Sequence, residues 1–278
     1  MSKNSRVSPV LKWVGGKRQL LPSLLPLVPD TYTTYCEPFV GGGALLFSIQ
    51  PKHAIINDVN EELINIYKTV RDDVEGVISA LKECKNTPEF FYEIRSLDRD
   101  IEKYATLSNV ERAVRIIYLN KTCFNGLYRV NRKGAFNVPF GSYKKPRIVD
   151  EDTLRAVSEY FQENEIIFCN KNYRDVLKQL SSESFVYLDP PYDIVSKTSS
   201  FVGYAKGGFD RDKQVQLRDA CVSLTKKGIK FMLSNSATDF IKELYSDFDI
   251  KIVKANRAVN SDGSKRGKVE EVIVRNYD

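Results

Sequence analysis

Tyr35-Cys36-Glu37-Pro38-Phe39-Val40-Gly41-Gly42-Gly43-Ala44-Leu45-Leu46-Phe47 carries the decisive change of pattern in this chain. Residues 32–39 read as a strand, three glycines interrupt it, and residues 44–49 resume as the apolar start of a helix. Glycine lets a backbone take positive φ and come close to a ligand. In an open α/β sheet such a strand-to-helix turn lies at the carboxyl ends of the strands, where ligands bind. The next apolar run, residues 53–58, ends on Asp58, 21 residues after Glu37. An acid at that place can accept hydrogen bonds from ribose hydroxyls.

Outward from this turn the alternation continues, stops and returns. Asn60 is placed to cap a helix from Glu61 to about Arg71. Residues 74–121 are helical in pattern, with Val77, Ile78 and Leu81, then Phe90, Phe91, Ile94 and Leu97, at helical spacing. Ser108 and Glu111 form a capping-box signature ahead of Val114, Ile117 and Tyr118. Residues 125–146 are turn-rich, with Gly126, Gly134, Pro139 and Gly141. Strands are then expected at 165–169, 184–188, 230–234, 250–255 and 271–275, and helices at 214–226 and around 240–245. The last two strands suit a hairpin across residues 261–268. The economical reading is an α/β, Rossmann-like sheet domain, residues 1–65 plus 160–278, interrupted at 66–159 by a mostly helical insert with a β-hairpin.

Composition narrows the function. The chain has 278 residues, and hydrophobic and charged contents of 42% and 28% suit a soluble globular protein. No stretch reaches the roughly 20 apolar residues of a membrane span, and the first ten residues lack a signal-peptide apolar region. A cytoplasmic location without membrane partners is expected. Five cysteines without C-x-x-C spacing, and His53 as the single histidine, argue against disulfides, structural zinc, any metal centre and a histidine-based triad. Of 42 basic and 36 acidic residues, nine basic and no acidic ones fall in residues 112–147, which leaves 33 basic against 36 acidic elsewhere. The same stretch holds Tyr118, Phe124, Tyr128, Phe136, Phe140 and Tyr143. Basic residues interleaved with aromatics suit phosphates and unstacked bases. A P-loop is excluded, because Gly15-Gly16-Lys17 is followed by Arg18 and preceded by Leu11 where the first glycine belongs. The glycine turn is not G-x-G-x-x-G either, which disfavours an NAD enzyme.

The second motif is Asp189-Pro190-Pro191-Tyr192, directly after a continuous apolar strand. Two prolines cannot continue sheet pairing and hold the backbone extended. Proline has no N–H, so the segment offers acceptors. An exocyclic amine on a planar base has two hydrogens, and the Asp189 carboxylate and Pro190 carbonyl can take one each. That frees the nitrogen lone pair for attack on an electrophilic methyl, while Asp189 stabilises the charge that develops. Tyr192 is placed to stack on the base. No cysteine follows a proline, which disfavours C5-cytosine chemistry.

Asp189-Pro190-Pro191-Tyr192 together with Glu37-Pro38-Phe39-Val40-Gly41-Gly42-Gly43 resembles the amino-methyltransferases of DNA. The block order, with Leu11-Lys12-Trp13-Val14-Gly15-Gly16-Lys17 first and the insert before Asp189, resembles the alpha group of DNA N6-adenine methyltransferases, Dam-type and DpnM-like. The insert adds Phe124-Asn125-Gly126-Leu127-Tyr128-Arg129, Phe136-Asn137-Val138-Pro139-Phe140-Gly141 and Tyr143-Lys144-Lys145, similar to the target-recognition domain of enzymes that methylate GATC. The resemblance implies an S-adenosylmethionine-dependent methyltransferase sheet, with S-adenosyl-L-methionine as cofactor and double-stranded DNA as partner. It implies Asp189, Pro190 and Tyr192 as catalytic residues, and Trp13, Lys17, Glu37, Phe39, Gly41, Gly43, Asp58 and Asp189 around the cofactor. It implies Lys12, Phe124, Asn125, Leu127, Arg129, Asn137, Pro139 and Tyr143 at the DNA. Phe124 would wedge into the duplex beside a flipped adenine. Arg129 would read a guanine edge, or contact a phosphate instead. A monomer is expected, since no zipper or long apolar face appears. A restriction endonuclease cutting the same site is a further functional partner where the enzyme serves a restriction system. The competing readings are an RNA or protein amide N-methyltransferase, and a non-catalytic DNA-binding regulator with a degenerate cofactor site. The acid-free basic stretch 112–147 disfavours a protein substrate.

Overall fold

The computed structural model describes residues 3–13, 15–193, 209–256 and 268–278. Among them are seven strands: β1 (Thr34–Glu37), β2 (His53–Asn57), β3 (Glu165–Cys169), β4 (Ser184–Leu188), β5 (Lys230–Ser236), β6 (Asp249–Asn256) and β7 (Lys268–Arg275). The chain divides into two compact units that interleave in sequence. One comprises Met1–Gly16, Gly41–Gln50 and Asn60–Asn170; the other comprises Lys17–Val40, Pro51–Val59 and Lys171–Asp278.

The second unit holds six strands in the order β2-β1-β4-β5-β7-β6. β1 pairs in parallel with β2 and β4, and β4 with β5. β7 runs antiparallel to both β5 and β6, so the expected terminal hairpin pair is present, while residues 257–267 of its connection lie outside the described residues. β4 is central, and all five of its residues are buried. A strand covered on both faces has no reason to alternate, which is why it reads as a continuous apolar run. Tyr35, Phe185, Tyr187 and Phe231 are fully buried around it. β1 is shorter than the expected 32–39 strand, because Pro38 has no N–H with which to extend the ladder. β2 and β4 flank β1 on opposite sides, so the strand order reverses there, and the carboxyl ends of β1 and β4 form the crevice where open α/β sheets bind ligands.

The first unit is helical apart from β3. Helix Glu61–Asp72 starts at Asn60, whose side chain accepts from the Leu63 N–H, as the sequence suggests. Helix Asn109–Thr122 opens on the reciprocal Ser108/Glu111 capping box. Helix Val74–Lys82 buries Val77, Ile78 and Leu81. Helix Glu151–Glu163 has no counterpart among the sequence expectations, although its cap Asp150 and the buried Leu154, Val157, Tyr160 and Phe161 carry the signal. Phe161 packs against Phe47, Tyr67 and Phe168, which makes an aromatic core for this unit. The turn-rich segment forms bridges Cys123↔Phe140 and Val130↔Phe136 rather than long strands.

Candidate functional site

In the second unit, β4 delivers Asp189 to the sheet edge, and the segment after it is clamped by side chains. Pro190 is buried. Because the prolines offer no N–H, the clamp takes carbonyls: Gln214 Nε2 donates to Pro191 O at 2.8 Å. Gln214 Oε1 accepts from Asn235 Nδ2 at 3.1 Å, and Asn235 Oδ1 accepts the Asp193 N–H at 3.0 Å. Ser236 Oγ donates to Asp193 O at 2.7 Å, and Thr238 Oγ1 to Asp193 Oδ2 at 2.8 Å. Gln214, Ser234 and Asn235 are fully buried, and buried amides that satisfy one another rigidify what they hold. Ser234-Asn235-Ser236, at the end of β5, thus supports the turn rather than lying open. Arg266 and Gly267, in the connection between the last two strands, lie outside the described residues.

Four side chains converge at this turn. Lys17 Nζ lies 2.8 Å from Asp189 Oδ1 and 4.5 Å from the centre of the Tyr192 ring. Tyr192 Oη donates to Glu271 Oε2 at 2.8 Å. Burial pushes the Asp189 carboxyl up to about 6, against the opposing pull of Lys17, with Glu271 adding a smaller upward push. Burial also raises the Tyr192 hydroxyl well above its ordinary range, so it stays a donor. Glu271 is a site residue that sequence reasoning missed, since a charged position in a terminal strand carries no motif.

Along the same edge Glu37 ends β1, buried, and accepts from Tyr35 Oη at 2.7 Å. Asp58 follows β2 and is partly exposed. Asn57 braces the segment after β1: its Nδ2 donates to Pro38 O at 2.9 Å and its carbonyl accepts the Val40 N–H at 2.9 Å. Phe39 lies 5.1 Å from Tyr173 and 6.0 Å from Phe209, centre to centre. Tyr173 and Phe209 were not singled out from sequence, where isolated aromatics look like core.

In the first unit, the glycine turn is occupied by Trp13. A Cβ on Gly41, where φ is +47°, would lie 2.9 Å from Trp13 Cδ1, and one on Gly42 3.1 Å from Trp13 Cβ. The close approach that the glycines permit is therefore made by the indole, where the sequence suggested a ligand alone. At Gly43, φ is +67°, and the neighbour is the Phe47 ring. The Trp13 ring also stacks on Tyr128, at 4.8 Å and 21°.

The expected DNA-contacting residues fall into two groups in this unit. Asn120, buried, accepts the Lys12 N–H at 2.9 Å and donates to Lys12 O at 2.8 Å and Gly126 O at 3.0 Å. Lys12 Nζ lies 5.6 Å from the Tyr143 ring centre. Gly126 takes φ +64°, and a Cβ there would sit 2.6 Å from Lys12 Cδ. Asn125 just before it is left-handed at φ 58°. Phe124 projects with 52% of its surface exposed, anchored by its N–H to Pro139 O at 2.9 Å. Leu127 is half-buried and Pro139 exposed. In the second group Arg129 Nε donates to Asn137 Oδ1 at 2.7 Å, and its Nη2 to Asn137 O at 3.3 Å. A turn at Asn131–Gly134 exposes Arg132 and Lys133, and Lys144 and Lys145 are also exposed.

Ion pairs neutralise part of the positive charge of residues 112–147. Arg112 pairs with Glu61 and Glu62, Arg115 with Asp98, and Arg147 with Asp150. Three of the nine basic residues of 112–147 thus meet acids from outside that stretch. The positive surface narrows toward the Asn131–Gly134 turn and Lys144-Lys145.

Residues 13–259 match the D12 class N6 adenine-specific DNA methyltransferase family, and the chain belongs to that family. It is 45% identical over 282 residues to the Type II methyltransferase M1.LlaDCHI of Lactococcus lactis subsp. cremoris, covering 100% of this chain and 98% of the relative. It is 42% identical over 292 residues to the Type II methyltransferase M.MjaIII of Methanocaldococcus jannaschii, covering 98% and 99%. A DNA adenine methylase of Escherichia coli (strain K12) is 32% identical over 267 residues, covering 95% and 93%. The protein is thus an adenine-specific DNA methyltransferase, and membership of the family implies an S-adenosylmethionine donor. Among the described residues no helix is long and apolar enough to cross a membrane.

Proposed function

We propose that the protein methylates adenine N6 within a short duplex site, GATC, acting on an adenine extruded from the helix. The observation that carries the chemistry is the Asp189 carboxylate at the end of β4, paired with Lys17 at 2.8 Å and followed by a segment clamped through its carbonyls. The adenine amine donates one hydrogen to Asp189 and the other to Pro190 O. Lys17 favours the ionised carboxylate that this needs, and Asp189 opposes the positive charge that grows on N6. Tyr192, fixed by Glu271, offers a ring face to the base.

The residues of the second unit fit S-adenosylmethionine. Asp58 presents a carboxylate suited to ribose hydroxyls, and Phe39 with its aromatic neighbours presents a wall suited to a purine. Glu37 would complete this side, and Trp13, Gly41 and Gly43 are the remaining residues proposed for donor contact. When bound, the donor supplies an electrophilic sulfonium methyl. An N6 amine inside a duplex is out of reach of such a pocket, which is the reason for extrusion. Exposed Phe124 is a fitting wedge, and Arg129, oriented by Asn137, a fitting guanine reader. Lys12, Asn125, Leu127, Pro139 and Tyr143 complete the contact set, with residues 66–159 as the recognition domain. On this reading the protein acts as a cytoplasmic monomer. A restriction endonuclease cutting the same site is its functional partner where it serves a restriction system.

The test is methyl transfer from labelled donor to duplexes containing GATC and to duplexes altered at one position, with sequencing of modified bases in a host expressing the chain. Methylation of adenine in GATC alone is expected. Transfer confined to a longer site replaces the GATC assignment. Absence of transfer by protein that binds both donor and DNA overturns the catalytic reading.

A further inference from the structure

The peptide that carries Asn137 is held from behind. Asp98 Oδ2 accepts the Phe136 N–H at 2.7 Å, and Arg99 Nη2 donates to Phe136 O at 2.6 Å. One residue past Asn137, Val138 O accepts from Arg95 Nη1 at 3.2 Å. The backbone of both residues flanking Asn137, Phe136 and Val138, is thus gripped by side chains of one segment, helix Pro88–Ser96 and the turn Leu97–Arg99 that follows it. The grip is itself anchored. Asp98 pairs with Arg115 at 2.7 Å and with Arg99 at 3.2 Å. The Arg115 side chain is 3% exposed, and its Nε donates to Ile94 O and its Nη2 to Arg95 O, each at 3.0 Å. Few hydrogen-bonded charges are so deeply placed in this unit, and a buried pair tolerates little displacement.

Asn137 faces the other way and holds Arg129 through two contacts, and its own N–H returns to Arg129 O at 3.0 Å. The guanidinium position therefore depends on a chain of polar contacts that begins at Asp98. A bidentate base contact demands both donors in one plane, so a small swing of the guanidinium costs recognition before it costs charge attraction.

We propose that Asp98, with Arg99 beside it, is a specificity-determining positioning residue that orients Arg129 through the Phe136–Val138 backbone and Asn137. The proposal rests on the reading of Arg129 as a base reader. Nothing in the Asp-Pro-Pro-Tyr chemistry requires Asp98, so its effect belongs to site choice.

The experiment compares kcat/KM for the cognate duplex with kcat/KM for duplexes altered at each single position, for wild type, Arg129→Ala, Asp98→Asn and the double variant. Arg99→Ala serves as a second probe should Asp98→Asn fail to fold, because Arg99 is partly exposed and lies outside the buried pair. Thermal unfolding is followed in parallel. Arg129→Ala is expected to reduce discrimination at one base pair. Asp98→Asn or Arg99→Ala is expected to reduce it at that same pair, by about fivefold or more. The double variant is expected to discriminate no worse than Arg129→Ala alone, since both act on one contact. If Arg129→Ala changes discrimination while Asp98→Asn and Arg99→Ala lower all sites equally, the proposal is overturned and the reading of Arg129 stands. If Arg129→Ala itself leaves discrimination unchanged, the base-reading assignment falls and the proposal falls with it.

Discussion

Lys17 Nζ stands 2.8 Å from Asp189 Oδ1, with the Tyr192 ring 4.5 Å from the same ammonium. Burial raises the carboxyl to about 6, and Lys17 opposes the rise. An acceptor for the adenine amine must be ionised, and a raised value means the carboxylate is lost as pH falls through about 6. The pH profile of kcat/KM is expected to show an acidic limb near that value. Lys17→Met removes the opposing charge, so the limb should move to higher pH even where the overall rate also drops. A profile flat down to about pH 5 would show that Asp189 does not titrate in the working range.

Glu271 acts on the same carboxyl with the opposite sign. It raises the Asp189 value and accepts the Tyr192 hydroxyl. Glu271→Gln keeps an acceptor for Tyr192 and removes the negative charge, so the acidic limb should shift to lower pH. Opposite shifts from Lys17→Met and Glu271→Gln are the outcome to look for. A common direction would mean that the limb belongs to another group.

Arg129→Ala is expected to cost about 1–3 kcal/mol of discrimination at one base pair. Lys144→Ala and Lys145→Ala, on exposed side chains, should instead weaken binding evenly across sequences and each reduce the salt slope by about one. Equilibrium binding over a salt series, on cognate and altered duplexes, separates the two behaviours.

Phe124 is exposed and contributes little to the core. Phe124→Ala should change unfolding stability by no more than about 0.5 kcal/mol. The same change should suppress the fluorescence rise of a 2-aminopurine placed at the target adenine. A large loss of stability, or an unchanged fluorescence response, would remove its role as a wedge.

Gly41→Ala adds a Cβ at φ +47°, within 2.9 Å of the Trp13 ring. Left-handed backbone alone costs a non-glycine residue about 1–2 kcal/mol, and the indole must also move off its stack with Tyr128. Lower thermal stability and weaker donor binding are expected together, by calorimetry. Weaker donor binding at unchanged stability would mean that the turn serves the ligand and not Trp13.

The sheet was legible because its signals are local. A strand buried on both faces reads as a continuous apolar run, and Ser184–Leu188 is one. The Asn60 cap and the Ser108/Glu111 box depend on neighbours within a single turn and appear as expected. Helix Glu151–Glu163 followed a turn-rich stretch whose punctuation dominated the reading, although its own apolar spacing was present.

The sequence alone led to the chemistry proposed for this chain, because Asp189-Pro190-Pro191-Tyr192 and the glycine turn carry their acceptors and backbone freedom wherever the fold puts them. Tertiary structure decided what surrounds them. It buried Asp189 and brought Lys17 and Glu271 to it from positions far away in sequence, and together these set the carboxyl's proton affinity. It filled the glycine turn with Trp13, and it consumed Arg112, Arg115 and Arg147 in ion pairs that a count of charges sees as free. Electrostatics depends on distance and burial in space, and neither is written in the order of residues.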